Sequence, residues 1–281
     1  MGYGWIEQCK RTPNLATLVN LNQPLPNAAG NNALGALPYP NFGFVEWRAQ
    51  NGTSEYKGVD LGLEKRFARG YAFGVSYTVG KSEDNSSEQL TTQGSNAFPQ
   101  NARDFDSWFG PSDYDVRHRF TANFVWQLPL GSNPVARDWT LSGIYTKRSG
   151  RPFTVNQANN NVGTNMTGLP NVTGDPAAPG PETVDQWFNI ASFTPVPSGT
   201  FGNELRNRLT GPGFQNVDLT LQKQIRMGHT GVTLRWDIFN VFDTVNFGLP
   251  NRNISDAATF GTISSLSSDP RIMQIALRFT F

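Results

Sequence analysis

The two histidines are the first residues to consider for catalysis, because imidazole is the commonest general acid–base group near neutral pH. His118 lies inside a segment with strand-like alternation, whereas His229 lies in a short turn of a different segment. The sequence gives no reason to bring a nucleophile or a carboxylate to either ring. The glycine-rich stretches also lack the strand–Gly-x-Gly-x-x-Gly–helix context of nucleotide binding. We therefore predict that the chain is not an enzyme and uses no cofactor.

Metal binding is the second chemistry to consider. Cys9 is the only cysteine, which excludes an intramolecular disulfide and a cysteine metal site. Four aspartates, Asp104, Asp106, Asp113 and Asp115, cluster in one predicted loop, and clustered carboxylates can hold calcium. The alternative is a solvated loop whose carboxylates pair with nearby arginines. The sequence leaves the calcium question open, and we assign no metal site.

The composition restricts the class of protein that positions these residues. The chain has 281 residues, 37% hydrophobic and 16% charged, and both fractions are low for a soluble domain. No segment approaches the ~18 consecutive apolar residues of a membrane helix, which excludes a helical membrane protein. A net charge of +1 predicts no nucleic-acid partner. A polar, aromatic-rich chain with 28 glycines and 19 prolines is typical of β-structure.

Alternation of apolar and polar residues is the strongest signal in the sequence. Between residues 69 and 81, Tyr71, Phe73, Val75, Tyr77 and Val79 alternate with small or polar residues, which is the period of a strand. Similar alternation elsewhere brings the number of predicted strands to eight. The predicted strands are 42–50 (the weakest), 56–67, 69–81, 116–128, 138–148, 214–226, 230–241 and 271–281.

The predicted strands are long enough to cross a bilayer. Ordinary strands have about 5–6 residues, whereas a tilted membrane strand needs about 9–11. One face of each predicted strand is apolar and the other carries charges, such as Asp60, Glu64 and Arg66. The apolar face is therefore predicted to contact lipid and the polar face to contact water or protein. The alternative is a soluble antiparallel sheet with one solvated face.

The links between the strands alternate strictly between short and long. Residues 66–70, 129–137 and 226–230 form short turns, whereas 82–115, 149–213 and 243–270 are long and rich in Asn, Gly, Pro and Ser. Outer-membrane barrels sort their connections in this way, with short periplasmic turns and long extracellular loops. We predict an all-β fold: an antiparallel, membrane-spanning β-barrel portion of about eight long strands.

Aromatic residues near the short turns are expected at the periplasmic membrane interface. They are Phe67, Tyr71, Trp126 and Trp139. For the two tryptophans, an alternative interpretation is ordinary cross-strand pairing, which is compatible with the first. By domain, we predict an N-terminal loop segment at 1–41 and the C-terminal part of a barrel at 42–281.

Four motifs, in order along the chain, resemble those of a known family. They are residues 56–67 (YKGVDLGLEKRF) with 74–81 (GVSYTVGK), 114–120 (YDVRHRF) with 128–131 (LPLG), 202–218 (GNELRNRLTGPGFQNVD) and 235–248 (RWDIFNVFDTVNFG). The chain resembles the barrel region of TonB-dependent outer-membrane receptors, most closely the Oar-like group, over residues 20–281. The resemblance implies the outer membrane of a Gram-negative cell, uptake of a large solute and partners that include outer-membrane lipid, a plug domain and, through the plug, TonB.

The resemblance implies that this chain is only part of such a receptor. Family members have 22 strands, a plug domain and a TonB-binding motif, so we expect eight strands to correspond to about the last third of the barrel, without the plug. The last residues also resemble a barrel-assembly signal that the barrel assembly machinery reads; the alternative is simply a lipid-facing last strand. The residues of this stripe are Met273, Ile275, Leu277, Phe279 and Phe281.

In that scheme the charged strand residues line the lumen and contact the plug. The candidates are Asp60, Glu64, Arg66, Arg119, Asn216, Asp218, Arg235, Asp237 and Arg278. One alternative is a self-standing eight-stranded barrel with a structural or adhesive surface role, whose interior would have to be filled by side chains. Gly62, Ala72 and Gly74 are small for that task. Another is an outer-membrane hydrolase, for which we find no Ser/His/carboxylate set. We expect an open, curved sheet or a strained closure; a first strand fully paired with the last would contradict the partial-barrel interpretation.

Overall fold

The computed structural model describes residues 2–24, 37–43, 45–87, 99–158, 168–176, 180–197, 200–228 and 230–281. Short 3-10 turns occupy Asp106–Trp108 and Ile190–Ser192. The strands are β1 Gly2–Asn20, β2 Glu46–Ala68, β3 Tyr71–Asp84, β4 Gly110–Pro111, β5 His118–Leu128, β6 Trp139–Arg148, β7 Pro152–Phe153, β8 Asn171–Val172, β9 Phe193–Thr194, β10 Leu209–Thr210, β11 Phe214–Met227, β12 Thr230–Phe239 and β13 Ile272–Thr280.

Eight long strands form one antiparallel sheet in the order β1-β2-β3-β5-β6-β11-β12-β13, and β4 pairs with the end of β3. Each long strand therefore pairs with the long strands that precede and follow it in the chain. Within the described residues, β1 pairs only with β2 and β13 only with β12. The sheet is open there, as the sequence led us to expect.

Short turns and long loops lie at opposite ends of this sheet. At the end that we name the turn end, β2 and β3 are joined by Arg69 and Gly70, whose φ angles of 56° and 82° are both left-handed. This backbone is that of a tight hairpin turn that matches the twist of its strands. The opposite end, the loop end, carries the connections 21–45, 85–117, 149–213 and 240–271, which we name together the loop region.

The N-terminal segment corrects the sequence prediction. Residues 1–41 were predicted as a loop, yet β1 occupies most of the first half of that segment and pairs with β2 along its length. The weak strand at 42–50 and the strand at 56–67 are in fact one long strand, β2. The predicted number of strands agrees with the sheet only because one strand was missed and another was counted twice.

The reason is that β1 lacks a local strand signal. Its register shifts between Pro13 and Thr17, where a proline cannot donate to the ladder. Cys9 and Glu7 occupy positions that would continue its apolar stripe. Pairing with β2, and not the pattern within β1, determines its conformation, as is common for an edge strand.

The packed core lies in the loop region and not in the sheet. Its buried side chains are Phe153, Val155, Phe188, Phe193, Leu209 and Phe260. Phe188 makes edge-to-face contacts with Phe193 and Phe260, with ring centroids 5.7 and 5.3 Å apart. The two-stranded pairs β7–β10 and β8–β9 frame this cluster. The long connections are thus a folded layer with a hydrophobic core of its own.

Candidate functional site

The strand register divides the sheet into two chemically distinct faces. On one face, Leu61 lies opposite Tyr77, and Tyr77 lies opposite Phe120. The same face continues at the other edge, where Trp236 lies opposite Ile275. We name this surface the apolar band and its reverse the polar face. The alternation predicted from the sequence is therefore preserved across the long strands.

Charged residues limit the apolar band at both ends. On β2 the band runs from Lys57, near the loop end, to Lys65, near the turn end. The eight residue-to-residue steps between them correspond to about 26 Å of strand at ~3.3 Å per residue. On β6, Lys147 and Trp139 enclose a segment of the same length. An apolar band of about 25 Å is the height that outer-membrane barrels present to lipid.

Two lysines that the sequence analysis missed lie at the turn end of the band. Lys65 Nζ donates to the carbonyl oxygens of Ala68 and Tyr71, both at 2.8 Å, and lies 3.5 Å from the centroid of the Tyr71 ring. Lys223 Nζ donates at 3.0 Å to the carbonyl oxygens of Pro134 and Val135. Each lysine therefore satisfies carbonyl groups of a short turn while its carbon chain covers apolar surface. A lysine within an apolar stripe next to a turn is the sequence signal that could have identified them.

The predicted interface aromatics all lie at this turn end. Tyr71 lies opposite Trp126, and both are exposed. Trp139 lies opposite Leu128, and its indole Nε1 donates to the Val135 carbonyl oxygen at 2.8 Å. Phe67 is exposed within an irregularity of the β2–β3 ladder. The two tryptophans are not partners of each other; contact of the four residues with lipid stays a prediction.

The predicted lumen residues lie on one face, with one exception. Register places Asp60, Glu64, Arg119, Asn216, Asp218, Arg235, Asp237 and Arg278 on the polar face. Arg66 falls in the irregularity between Lys65 and Ala68, where the ladder does not assign it a face. The structure thus brings residues from five different strands to one surface. Contact with a plug domain stays a prediction.

Several of these charges are held by neighbouring strands. Asp60 accepts hydrogen bonds from Thr78 Oγ1 at 2.5 Å and from Gln8 Nε2 at 2.9 Å. Asp237 accepts from Arg235 Nε at 2.8 Å and from Thr220 Oγ1 at 2.6 Å. Bonds of this kind orient carboxylates without neutralising the whole surface.

Other charges on the polar face have no such partner. Within the described residues, Glu64, Arg119 and Arg278 make no side-chain hydrogen bond or ion pair. The face therefore offers charges of both signs to anything that contacts it. Charged groups of this kind are suited to electrostatic complementarity with a partner surface.

An open groove of about 770 Å³ lies at the turn end of the polar face. Small residues from three adjacent strands form much of its lining, among them Gly4, Gly62, Ala72, Gly74 and Ser76. Glu64 and Asn123 supply polar groups. Because these positions carry little or no side chain, the sheet does not fill the space in front of it.

The loop region has a buried ion pair that the sequence analysis did not identify. Arg206 Nη1 lies 2.8 Å from Asp84 Oδ1, and both side chains are fully buried. The same guanidinium donates to the Asp84 carbonyl oxygen and to Ser87 Oγ, both at 2.6 Å. Asn207 Nδ2 donates to Asp113 Oδ1 at 2.5 Å. These bonds join the 149–213 connection to the end of β3.

The same contacts bear on the aspartate cluster. Asp113 accepts hydrogen bonds from Arg206 and Asn207, and Asp115 accepts one from the backbone N–H of Ser82 at 2.7 Å. Asp104 accepts from the backbone N–H of Ser107 at 3.2 Å. In the part of the chain that the structure describes, no group of three or more acidic, histidine or cysteine side chains could hold a metal ion.

Glu204 is the group with the most perturbed acidity in the loop region. Its side chain is buried, and burial raises the pKa of its carboxyl to about 7. Arg208 Nη1 lies 3.8 Å from Glu204 Oε2 and partly opposes that increase. Burial likewise lowers the pKa of Arg252, with desolvation as its largest cause. At both groups, burial disfavours the charged form.

The histidines show no catalytic constellation among the described residues. His118 Nδ1 lies 2.9 Å from the Tyr77 hydroxyl, and the two rings are stacked with centroids 6.2 Å apart. His229 lies outside the described residues. No helix of the described residues has the length and hydropathy needed to span a bilayer. The absence of enzymatic activity stays a prediction.

The predicted assembly stripe is exposed along the last strand. Met273, Ile275, Leu277 and Phe279 all face the apolar band, and each pairs with an apolar residue of β12. Phe281 is also exposed. This arrangement is compatible with both interpretations of the stripe, and its recognition by the assembly machinery stays a prediction.

Comparison with known proteins identifies the family. The sequence model of the family described as an outer membrane beta barrel domain matches residues 9–274. No curated protein and no solved structure shows a significant match to the chain. The match agrees with the apolar band, the antiparallel sheet and the sorted connections, and it confirms the predicted fold class. Family membership implies an outer-membrane location; a periplasmic turn end and an extracellular loop end stay predictions. The chain belongs to the outer membrane beta barrel domain family.

Proposed function

We propose that the chain is the barrel portion of an Oar-like, TonB-dependent receptor that takes up a large solute across the outer membrane of a Gram-negative bacterium. The observation that carries this proposal is the unfilled polar face. A closed eight-stranded barrel needs side chains to fill its interior, whereas this face has a groove of about 770 Å³. Glu64, Arg119 and Arg278 on this face have no side-chain partner within the described residues, which also favours contact with a separate domain.

The edges of the sheet support the same proposal. An unpaired strand edge in lipid leaves N–H and C=O groups without partners, at a cost of several kcal/mol each. The remaining strands of a wider barrel would pair with β1 and β13. In this scheme the plug fills the lumen, TonB acts on the plug, and the chain itself has no enzymatic activity and binds no nucleic acid. The barrel assembly machinery inserts it, and outer-membrane lipid surrounds it.

The first test is the complete reading frame that encodes the chain in its source bacterium. We expect a plug domain and a TonB-binding motif in frame with this barrel region. A mature protein consisting of this barrel alone would contradict the proposal and favour the self-standing barrel with a structural or adhesive role. Binding of the full polypeptide to the purified periplasmic domain of TonB from the same bacterium provides an independent readout.

The second test locates the plug contact. A photo-crosslinking amino acid replaces Ser76, which lines the groove, in the full-length protein in isolated outer membranes. The matched control carries the same amino acid at Tyr77, the next residue, which lies on the apolar band. We expect plug peptides to crosslink to position 76 and lipid to crosslink to position 77. The same products at both positions would contradict a plug in contact with the polar face.

A further inference from the structure

A second cavity, of about 600 Å³, lies where the apolar band meets the loop region. Tyr77 and Phe120, which are cross-strand neighbours on the band, form its lower wall. His118 and Lys147 lie at the level where the band ends. Trp187 and Glu182, from the 149–213 connection, complete the lining. The cavity therefore opens at the extracellular edge of the lipid-facing surface.

The three lysines near the loop end of this face differ in their partners. Lys57 Nζ lies 2.7 Å from Glu55 Oε1, and Lys81 Nζ lies 2.6 Å from Glu83 Oε1. Lys147 makes no side-chain hydrogen bond or ion pair within the described residues, although it lies on the same face and borders the cavity. It is thus a cation available to an anionic group from outside the protein.

The other polar groups of the cavity are suited to a phosphorylated sugar. When the Tyr77 hydroxyl donates to Nδ1 of His118 across their 2.9 Å contact, Nε2 carries the proton and can donate to a phosphate oxygen. Glu182 can accept hydrogen bonds from hydroxyl groups, and its φ of 50° is a conformation that a non-glycine residue rarely adopts. Trp187 is fixed by the bond from its Nε1 to the Thr210 carbonyl oxygen, at 2.9 Å.

We infer that this cavity binds a glycolipid of the outer leaflet through its phosphorylated sugar headgroup. Lys147 and His118 contact the phosphate, Glu182 contacts sugar hydroxyl groups, and the acyl chains extend down the apolar band past Tyr77 and Phe120. The position of the cavity matches this occupant, because a cation lies beside apolar side chains near the end of a band about as high as the hydrocarbon core. The inference holds whether or not the barrel is part of a TonB-dependent receptor.

The test measures binding of bisphosphorylated lipid A to the purified full-length protein in detergent, by native mass spectrometry. We expect Lys147→Gln to weaken binding roughly tenfold, since it removes one charge-assisted contact. The matched control, Lys81→Gln, removes a lysine near the loop end of the same face that already has a carboxylate partner, and should leave binding within about twofold. An unchanged heat-dependent gel mobility establishes that both variants are folded.

Two further binding measurements identify the source of the phosphate group. Lipid A without its two phosphates should bind to the wild-type protein as weakly as bisphosphorylated lipid A binds to Lys147→Gln. Millimolar inorganic phosphate should not displace the bisphosphorylated lipid. Equal binding of lipid A by wild type and Lys147→Gln would overturn the inference. Equal binding of phosphorylated and dephosphorylated lipid, or displacement by inorganic phosphate, would overturn it as well.

Discussion

The sheet and the loop region of this protein are stabilised in different ways. The sheet is one layer thick, and large apolar side chains on its band are exposed, as Ile275 and Leu277 show. The loop region has few strands, yet it contains the buried aromatic cluster and the buried Arg206–Asp84 pair. The difference indicates that the sheet has no core of its own and depends on its surroundings in the outer membrane, whereas the loop region supplies its own core.

The first prediction compares two phenylalanines, one in each region. Phe188 is 4% exposed in the loop cluster and Phe67 is 53% exposed at the turn end. We expect Phe188→Ala to destabilise the loop region by about 3–5 kcal/mol, because it leaves a cavity. Phe67→Ala leaves none and should cost less than about 1 kcal/mol. Limited proteolysis of the loops in urea measures the loss of stability in both variants. Similar protease sensitivity of the two variants would contradict the comparison.

The second prediction compares two ion pairs with the same 2.8 Å separation. The side chains of Arg206 and Asp84 are 1% and 0% exposed, whereas those of Arg235 and Asp237 are 53% and 7% exposed. Removing a partner from a buried pair leaves a buried charge, so Arg206→Gln should cost about 3 kcal/mol.

The matched variant is Arg235→Gln on the polar face, which should cost about 0–1 kcal/mol, because Arg235 is half exposed and Asp237 keeps the hydrogen bond from Thr220. Hydrogen exchange of the backbone around Asp84 and Asp237, followed by mass spectrometry, measures the local loss of stability in each variant. If both variants change protection equally, burial does not distinguish the two regions.

The third prediction tests the sheet itself, at its turn end. Lys223→Gln removes hydrogen bonds to turn carbonyls and should destabilise the β5–β6 turn by about 1–2 kcal/mol. Lys57→Gln, at the opposite end of the band, removes one exposed ion pair and should cost less than about 0.5 kcal/mol. Urea denaturation of the protein in detergent compares them. A loss of stability in Lys57→Gln as large as that in Lys223→Gln would show that the hydrogen bonds to the turn carbonyls stabilise the sheet no more than an exposed ion pair does.

The fourth prediction uses pH to separate the regions. The pKa of Glu204 is about 7 in the fold and 4.5 as its ordinary value, so the folded state binds the proton more tightly. The contribution of Glu204 to the stability of the loop region is then greatest below about pH 4.5 and falls as pH rises to about 7, by at most about 1.4 kcal/mol per pH unit. Glu204→Gln should remove this dependence in loop proteolysis between pH 5 and 8. Glu64→Gln, on the polar face, should not alter it.

The strand faces could be predicted because their signal is local. Lipid on one side and a polar environment on the other impose alternation on each strand separately, so Tyr71, Val75 and Val79 reveal their face without knowledge of their partners. β1 could not be found in this way. It lacks a clean alternation and contains Pro13, and it is a strand because β2 pairs with it.

The candidate site was predictable only in part. The alternation identified Asp60, Arg119 and Asp237 as residues of one surface, since each strand marks its own polar positions. It did not reveal which of them are held by neighbours, because Asp60 meets Thr78 and Gln8 only after three strands align. The cavity near Lys147 combines strand residues with Trp187 and Glu182, which no local pattern connects.

By itself, the sequence determined the all-β class, the two faces and the sorting of short turns from long loops, since these depend on neighbours a few residues apart. The tertiary structure alone decided where the core lies. Phe153 and Phe260 pack in one cluster, and Arg206 pairs with a residue 122 positions away. Such contacts form between connections rich in glycine, proline and asparagine that have no hydrophobic period. Only the meander that brings the loops to one end of the sheet places these residues together.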